Sequence, residues 1–214
     1  MKKDSTQSLM LGSNVLILLF SLGIITGVLN GCFAWLMKLL SQLQALILTS
    51  SPLGPLYFML TTSFLAALST TIIKVGNMKA THGTGMAEVK ALLVSEFHPS
   101  ELFNIVSAKV AIIRVTSLIL AVGSGLSIGI AAPLVHVALC TAHCIMSWIP
   151  LFEDLLYNPA MLKQIFAAAA AVGMSTVFNA PVGGLLFSIE VTSTYYLISN
   201  YWRSFMAATT GALT

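Results

Sequence analysis

One carboxylate, Glu190, closes the apolar run Phe178-Asn179-Ala180-Pro181-Val182-Gly183-Gly184-Leu185-Leu186-Phe187-Ser188-Ile189-Glu190-Val191. A charge inside sequence this hydrophobic is expensive, so an ionisable residue there marks a site of function. Two further stretches carry chemistry through the backbone. His82-Gly83-Thr84-Gly85-Met86-Ala87-Glu88 and residues 123–133 each place glycines just before a helix start. A helix that opens this way leaves unpaired N–H groups at the positive end of its dipole. Paired breaks of this kind in a membrane protein point to an anion held near the midplane by helix N-termini. Binding without a full positive charge also permits fast release, which conduction needs.

Other candidate constellations are weaker. His136, Cys140 and Cys144 recur every four residues with His143 beside them, a metal-like spacing, but on an apolar face. No Ser-His-Asp set, polar carboxylate pair or phosphate loop supports an enzyme. Cys32, Cys140 and Cys144 are odd in number and lie in apolar sequence, against a disulfide framework. Lys109 and Arg114 share a helix; they either raise the potential of an anion route or, as expected of long cations, snorkel to the interface.

The elements that position these residues are set by composition. Of the 214 residues, 57% are hydrophobic and 8% charged. Windows 5–37, 39–73, 115–152 and 164–189 contain no Lys, Arg, Asp or Glu, and each exceeds the ~20 residues that cross a bilayer core. The chain reads as an all-α, multi-pass integral membrane protein. A net charge of +3 with no basic stripe excludes nucleic acid as a partner. Lys2 and Lys3, and three lysines between residues 74 and 90, put residues 1–13 in the cytosol as a tail and the first connection outside. The N-terminus mimics a lipoprotein signal ending in Leu29-Asn30-Gly31-Cys32, but its apolar stretch is too long.

Helices are expected over residues 14–48, 56–73, 87–94, 107–122, 133–149, 164–177, 181–194 and 202–213, with a surface loop at 150–162 around Glu153 and Asp154. Gly23, Gly27 and Gly31 form a smooth ridge on the first helix. Pro181 stands at the first turn of its helix, where proline is preferred. Several helices are too short to span.

Three motifs in order carry a resemblance. Gly83-Thr84-Gly85-Met86-Ala87-Glu88-Val89-Lys90 resembles GSGIPEVK, the first signature of the CLC family of chloride channels and chloride/proton antiporters. Residues 123–137 resemble its second signature, with a Gly-Lys/Arg-Glu-Gly-Pro core. Residues 178–194 with Asn200-Tyr201-Trp202-Arg203 resemble later helices of eukaryotic members. The resemblance covers residues 14–214 and implies the first of two inverted repeats, a partial CLC-like transmembrane domain. It implies chloride as the transported ion, no cofactor, a membrane-lipid setting, and a homodimer or association with full-length subunits. The plasma membrane is favoured over an organelle.

The resemblance implies chloride contacts at Thr84, Gly85, Met86, Ile130, Ala131 and Ala132. Thr84 replaces the usual serine, and its hydroxyl can donate the same bond. Ala87 replaces a proline. Ala131 stands at the gating-glutamate position and Ile130 at that of the preceding basic residue, so no carboxylate is present there to plug a pore or carry a proton. Val191 stands at the position of the antiporters' internal proton-transfer glutamate, while its neighbour Glu190 is kept as a gate element or an inner-face hydrogen-bonding carboxylate. The departures imply a passive channel without proton coupling. The Gly-x-Phe-x-Pro third signature is absent, and the chain stops inside an apolar helix, which favours truncation. The rival expectation is a truncated, non-conducting subunit that associates with intact ones.

Overall fold

A computed structural model describes residues 2–49, 53–76, 81, 83–94, 104–156, 158–192 and 198–214. Lys79, His82 and residues 193–194, all part of the sequence reading, lie outside the described residues. The described residues form eight helices of nine or more residues: α1 (Lys2–Thr49), α2 (Gly54–Gly76), α3 (Met86–Val94), α4 (Ala108–Gly123), α5 (Ala131–Trp148), α6 (Pro159–Phe178), α7 (Pro181–Thr192) and α8 (Ile198–Leu213). The described residues contain no strand. The expected order of helices is therefore present, and the all-α reading holds.

Local chemistry sets the boundaries. Ser107 caps α4 by accepting from the Val110 N–H, and the helix stops at Gly123-Ser124-Gly125, where Gly125 has a φ of +85°. Asn158 Oδ1 accepts from the N–H groups of Ala160 and Met161 at 3.2 and 3.4 Å. With Pro159 at N1, this starts α6 earlier than the expected residue 164. The predicted surface loop over 150–162 is corrected accordingly. Its first part folds into short helical turns that bury Phe152 and Leu155 in the core, because two apolar residues three apart face inward together. Asn179 ends α6 in the left-handed region (φ 50°, ψ 38°), and α7 follows directly from Pro181. At the other end of the chain, α1 is helical from Lys2 rather than from residue 14.

The core is built on small residues. Residues 167–171 of α6 are all alanine and all buried, so neighbouring helices approach its backbone closely. A Cβ on Gly173 would lie 2.8 Å from the Val135 Cα of α5, and one on Gly184 of α7 would strike the Ala171 carbonyl. Ser188 of α7 donates to the Ala167 carbonyl at 2.7 Å, and Ser175 of α6 to the Ala208 carbonyl of α8 at 3.0 Å. Asn30 of α1 donates to the Thr176 carbonyl at 2.7 Å. These side chains stitch helices together where water is absent.

The glycine ridge of α1 works in part. Gly23 lies against Thr210 and Ala207 of α8, and Gly27 against Thr214 and Gly211, whereas Gly31 faces open space. On the other side, Gln44 of α1 donates to the Gly123 carbonyl, and Ser69 of α2 donates to the Ser117 carbonyl at 2.8 Å. Among the described residues, four helices are long and apolar enough to cross a membrane: Asn14–Thr49, Gly54–Gly76, Ala131–Trp148 and Pro159–Phe178. The first is 36 residues, about 54 Å at 1.5 Å per residue, so it must tilt in a core of ~30 Å. On α2 the exposed side chains include Met59, Leu60 and Phe64, an apolar face suited to lipid.

Candidate anion site

The loop before α3 is built from two glycines in the left-handed region, Gly83 at φ +88° and Gly85 at φ +84°. Thr84 between them is exposed, and its hydroxyl oxygen accepts from the Met86 N–H at 3.5 Å. The hydroxyl proton is left to point elsewhere. The Gly85 carbonyl accepts from the Val89 N–H at 3.0 Å and so begins α3. Glu88 sits in the first turn, where the helix dipole favours a carboxylate.

The second break spans residues 124–130. Ile130 occupies the N-cap of α5 and offers no side-chain hydrogen bond, so no side chain caps the N–H groups of Ala131 and Ala132. Both alanines are half-buried, and Pro133 behind them brings no N–H of its own. Gly129 and Ile128 are exposed beside them. Ala131 presents only a methyl group at the start of the helix.

The loop before α3 packs against α5. α3 lies against α5, α6 and α7. Gly85 is buried against α5, where a Cβ on it would come within 3.0 Å of the His136 Cβ. His136 lies five residues beyond Ala131, about 7 Å along the helix. The loop that opens α3 thus packs on α5 at His136, rather more than one turn beyond Ala131.

One residue departs from expectation. Lys109 is exposed, but Arg114 is buried at 3% and does not snorkel. Its Nη1 donates to the Gly83 carbonyl at 3.1 Å, and its charge is within electrostatic reach of Glu88. The reason is geometric: Arg114 lies on the α4 face that looks at the α3 loop, and a backbone carbonyl there accepts its proton. The residues of α7 are separate in character. Glu190 is exposed, and Val191 is half-buried and packs on the core. His136, His143 and Cys140 are buried and Cys144 is half-buried. Among the described residues no group of three or more His, Cys, Asp or Glu could hold a metal.

With this geometry in view, relatives of the chain decide its family. The family model described as voltage gated chloride channel matches residues 65–214. The chain belongs to this family. It is 39% identical over 131 residues to chloride channel protein F of Dictyostelium discoideum, covering 61% of this chain and 16% of that protein. Chloride channel protein 2 of Homo sapiens is 40% identical over 130 residues, 61% of this chain and 14% of that one. The H(+)/Cl(-) exchange transporter 5 of Cavia porcellus is 38% identical over 153 residues, 70% of this chain and 19% of that protein. The chain therefore spans less than a fifth of the length of these family members.

Solved structures agree on the fold. A eukaryotic CLC transporter superposes with a TM-score of 0.87 at 27% identity, over 96% of this chain and 38% of that one. A slow cyanobacterial Cl-/H+ antiporter shares the fold with a TM-score of 0.75 at 21% identity, over 93% of this chain and 45% of that one. The family membership and the all-helical membrane fold expected from sequence are borne out.

Proposed function

We propose that the protein is a chloride-transporting membrane subunit that works passively, without proton coupling. The observation that carries this reading is the uncapped N-terminus of α5, whose first residue Ala131 has no carboxylate, on a helix against which the loop before α3 packs through Gly85 and His136. Each N-terminus carries about +0.5 of an elementary charge, and their N–H groups are hydrogen-bond donors. Thr84 supplies a hydroxyl, Gly85 and Met86 the first N–H groups of α3, and Ile130, Ala131 and Ala132 those of α5. Chloride exchanges its hydration shell for these weak, distributed donors and is released as readily as it is bound.

Two residues favour passive transport over exchange. Ala131 has no group that could block the anion or take up a proton, and Val191 has none that could pass a proton inward. Glu190 contributes an exposed inner-face carboxylate. No cofactor enters the scheme. The lysines of residues 1–13 and 74–90 favour a cytosolic N-terminus; the plasma membrane as setting and a second copy of the chain as partner belong to the same proposal.

The reading is tested by chloride efflux from vesicles loaded with potassium chloride, with valinomycin balancing charge. Protein-containing vesicles release chloride faster than empty ones, and Thr84→Val slows release about tenfold. That loss matches about 1.5 kcal/mol for a hydrogen bond to a charged partner. Thr84→Ser retains the rate. Release no faster than from empty vesicles contradicts the proposal.

A further inference from the structure

A buried arginine inside a membrane protein needs a structural reason, since its desolvation costs several kcal/mol unless partners offset it. Arg114 has a specific one. From α4 it reaches the loop before α3 and donates from Nη1 to the Gly83 carbonyl at 3.1 Å. The guanidinium also lies over Gly85, where a Cβ would come within 2.7 Å of Nη1 and 3.0 Å of Cζ. Gly85 is thus required twice, for its φ of +84° and for the space that Arg114 occupies. Glu88, one turn into α3, lies within electrostatic reach of the same cation. Within the loop, the Met86 N–H donates to the Thr84 hydroxyl oxygen at 3.5 Å.

We propose that Arg114 is a positioning residue. Its guanidinium clamps the Gly83 carbonyl and the Gly85 backbone, so that Thr84 and the first N–H groups of α3 are held in one direction. This inference rests on the chloride reading for its consequence in transport, but the clamp is a statement about the loop alone.

Two readouts on the whole protein in vesicles separate these parts. Hydrogen exchange at the amides of residues 84–88 reads the loop, and the chloride concentration for half-maximal flux reads the donors. Arg114→Met keeps the length of the apolar stem but removes the planar donor. It is expected to speed exchange at residues 84–88 at least tenfold and to raise the half-maximal chloride concentration at least fivefold, with helix content by circular dichroism unchanged. Arg114→Lys restores charge but not the flat fork, and leaves exchange fast. If Arg114→Met does not fold, Arg114→Lys is read against the parent in the same two measurements. Exchange within twofold of the parent overturns the proposal. So does a lower maximal flux with an unmoved half-maximal concentration, which is the mark of packing alone. A parent that moves no chloride, in which Arg114→Met still frees the loop, overturns the transport reading and supports the clamp.

Discussion

At the scale of single residues, the account turns on what stands at the start of α5. Ala131 offers an uncapped helix N-terminus with no side chain to occupy it. Restoring a carboxylate by Ala131→Glu therefore has a signed pH dependence. A glutamate ordinarily titrates near ~4.3, so at pH 7 the ionised group fills the positive end of α5 and excludes chloride. Efflux through Ala131→Glu is expected to fall at least tenfold at pH 7 and to recover as pH drops through ~4, while the parent stays flat. A variant equal to the parent at pH 7 places the anion elsewhere. Thr84, Gly85 and Ala131 were legible as candidates because glycine punctuation before a helix is a local signal. Arg114 was not: whether a cation on a helix snorkels or turns inward depends on which face meets a neighbouring carbonyl, and that is a tertiary fact.

At the scale of elements, the arrangement depends on close backbone approach at α6. Gly184 and Ser188, four apart on α7, form the seam with its alanine stretch, and Gly173 forms the seam with α5. Gly184→Val forces a methyl group into the Ala171 carbonyl and is expected to destabilise the protein by about 2 kcal/mol or more, as overpacking does. Thermal unfolding in detergent checks this, and an unchanged midpoint contradicts the packing described. Asn158→Ala removes the cap of α6 and costs about 1 kcal/mol, read in the same way. Most helices were legible from apolar windows bounded by glycine and proline. The start of α6 was missed because Glu153 and Asp154 suggested solvent, while Phe152 and Leu155 beside them supplied the anchoring burial. The ridge of three glycines met α8 at Gly23 and Gly27 only, since a repeat in sequence does not say how far along a helix its partner reaches.

At the scale of the whole molecule, the described residues include four helices long and apolar enough to cross a membrane, with several shorter ones packed among them. Family membership was legible because three motifs stood in order, each where a helix starts or turns. The mode of transport is a different matter, since the fold is shared by relatives named as channels and as exchangers. In the function proposed above, the side chains at 131 and 191 carry that distinction. The most direct measurement sets a chloride gradient across vesicles containing the protein and follows chloride and protons together, without ionophores for protons. The account predicts chloride movement with no proton movement beyond that of empty vesicles. Protons driven uphill by the chloride gradient would contradict it.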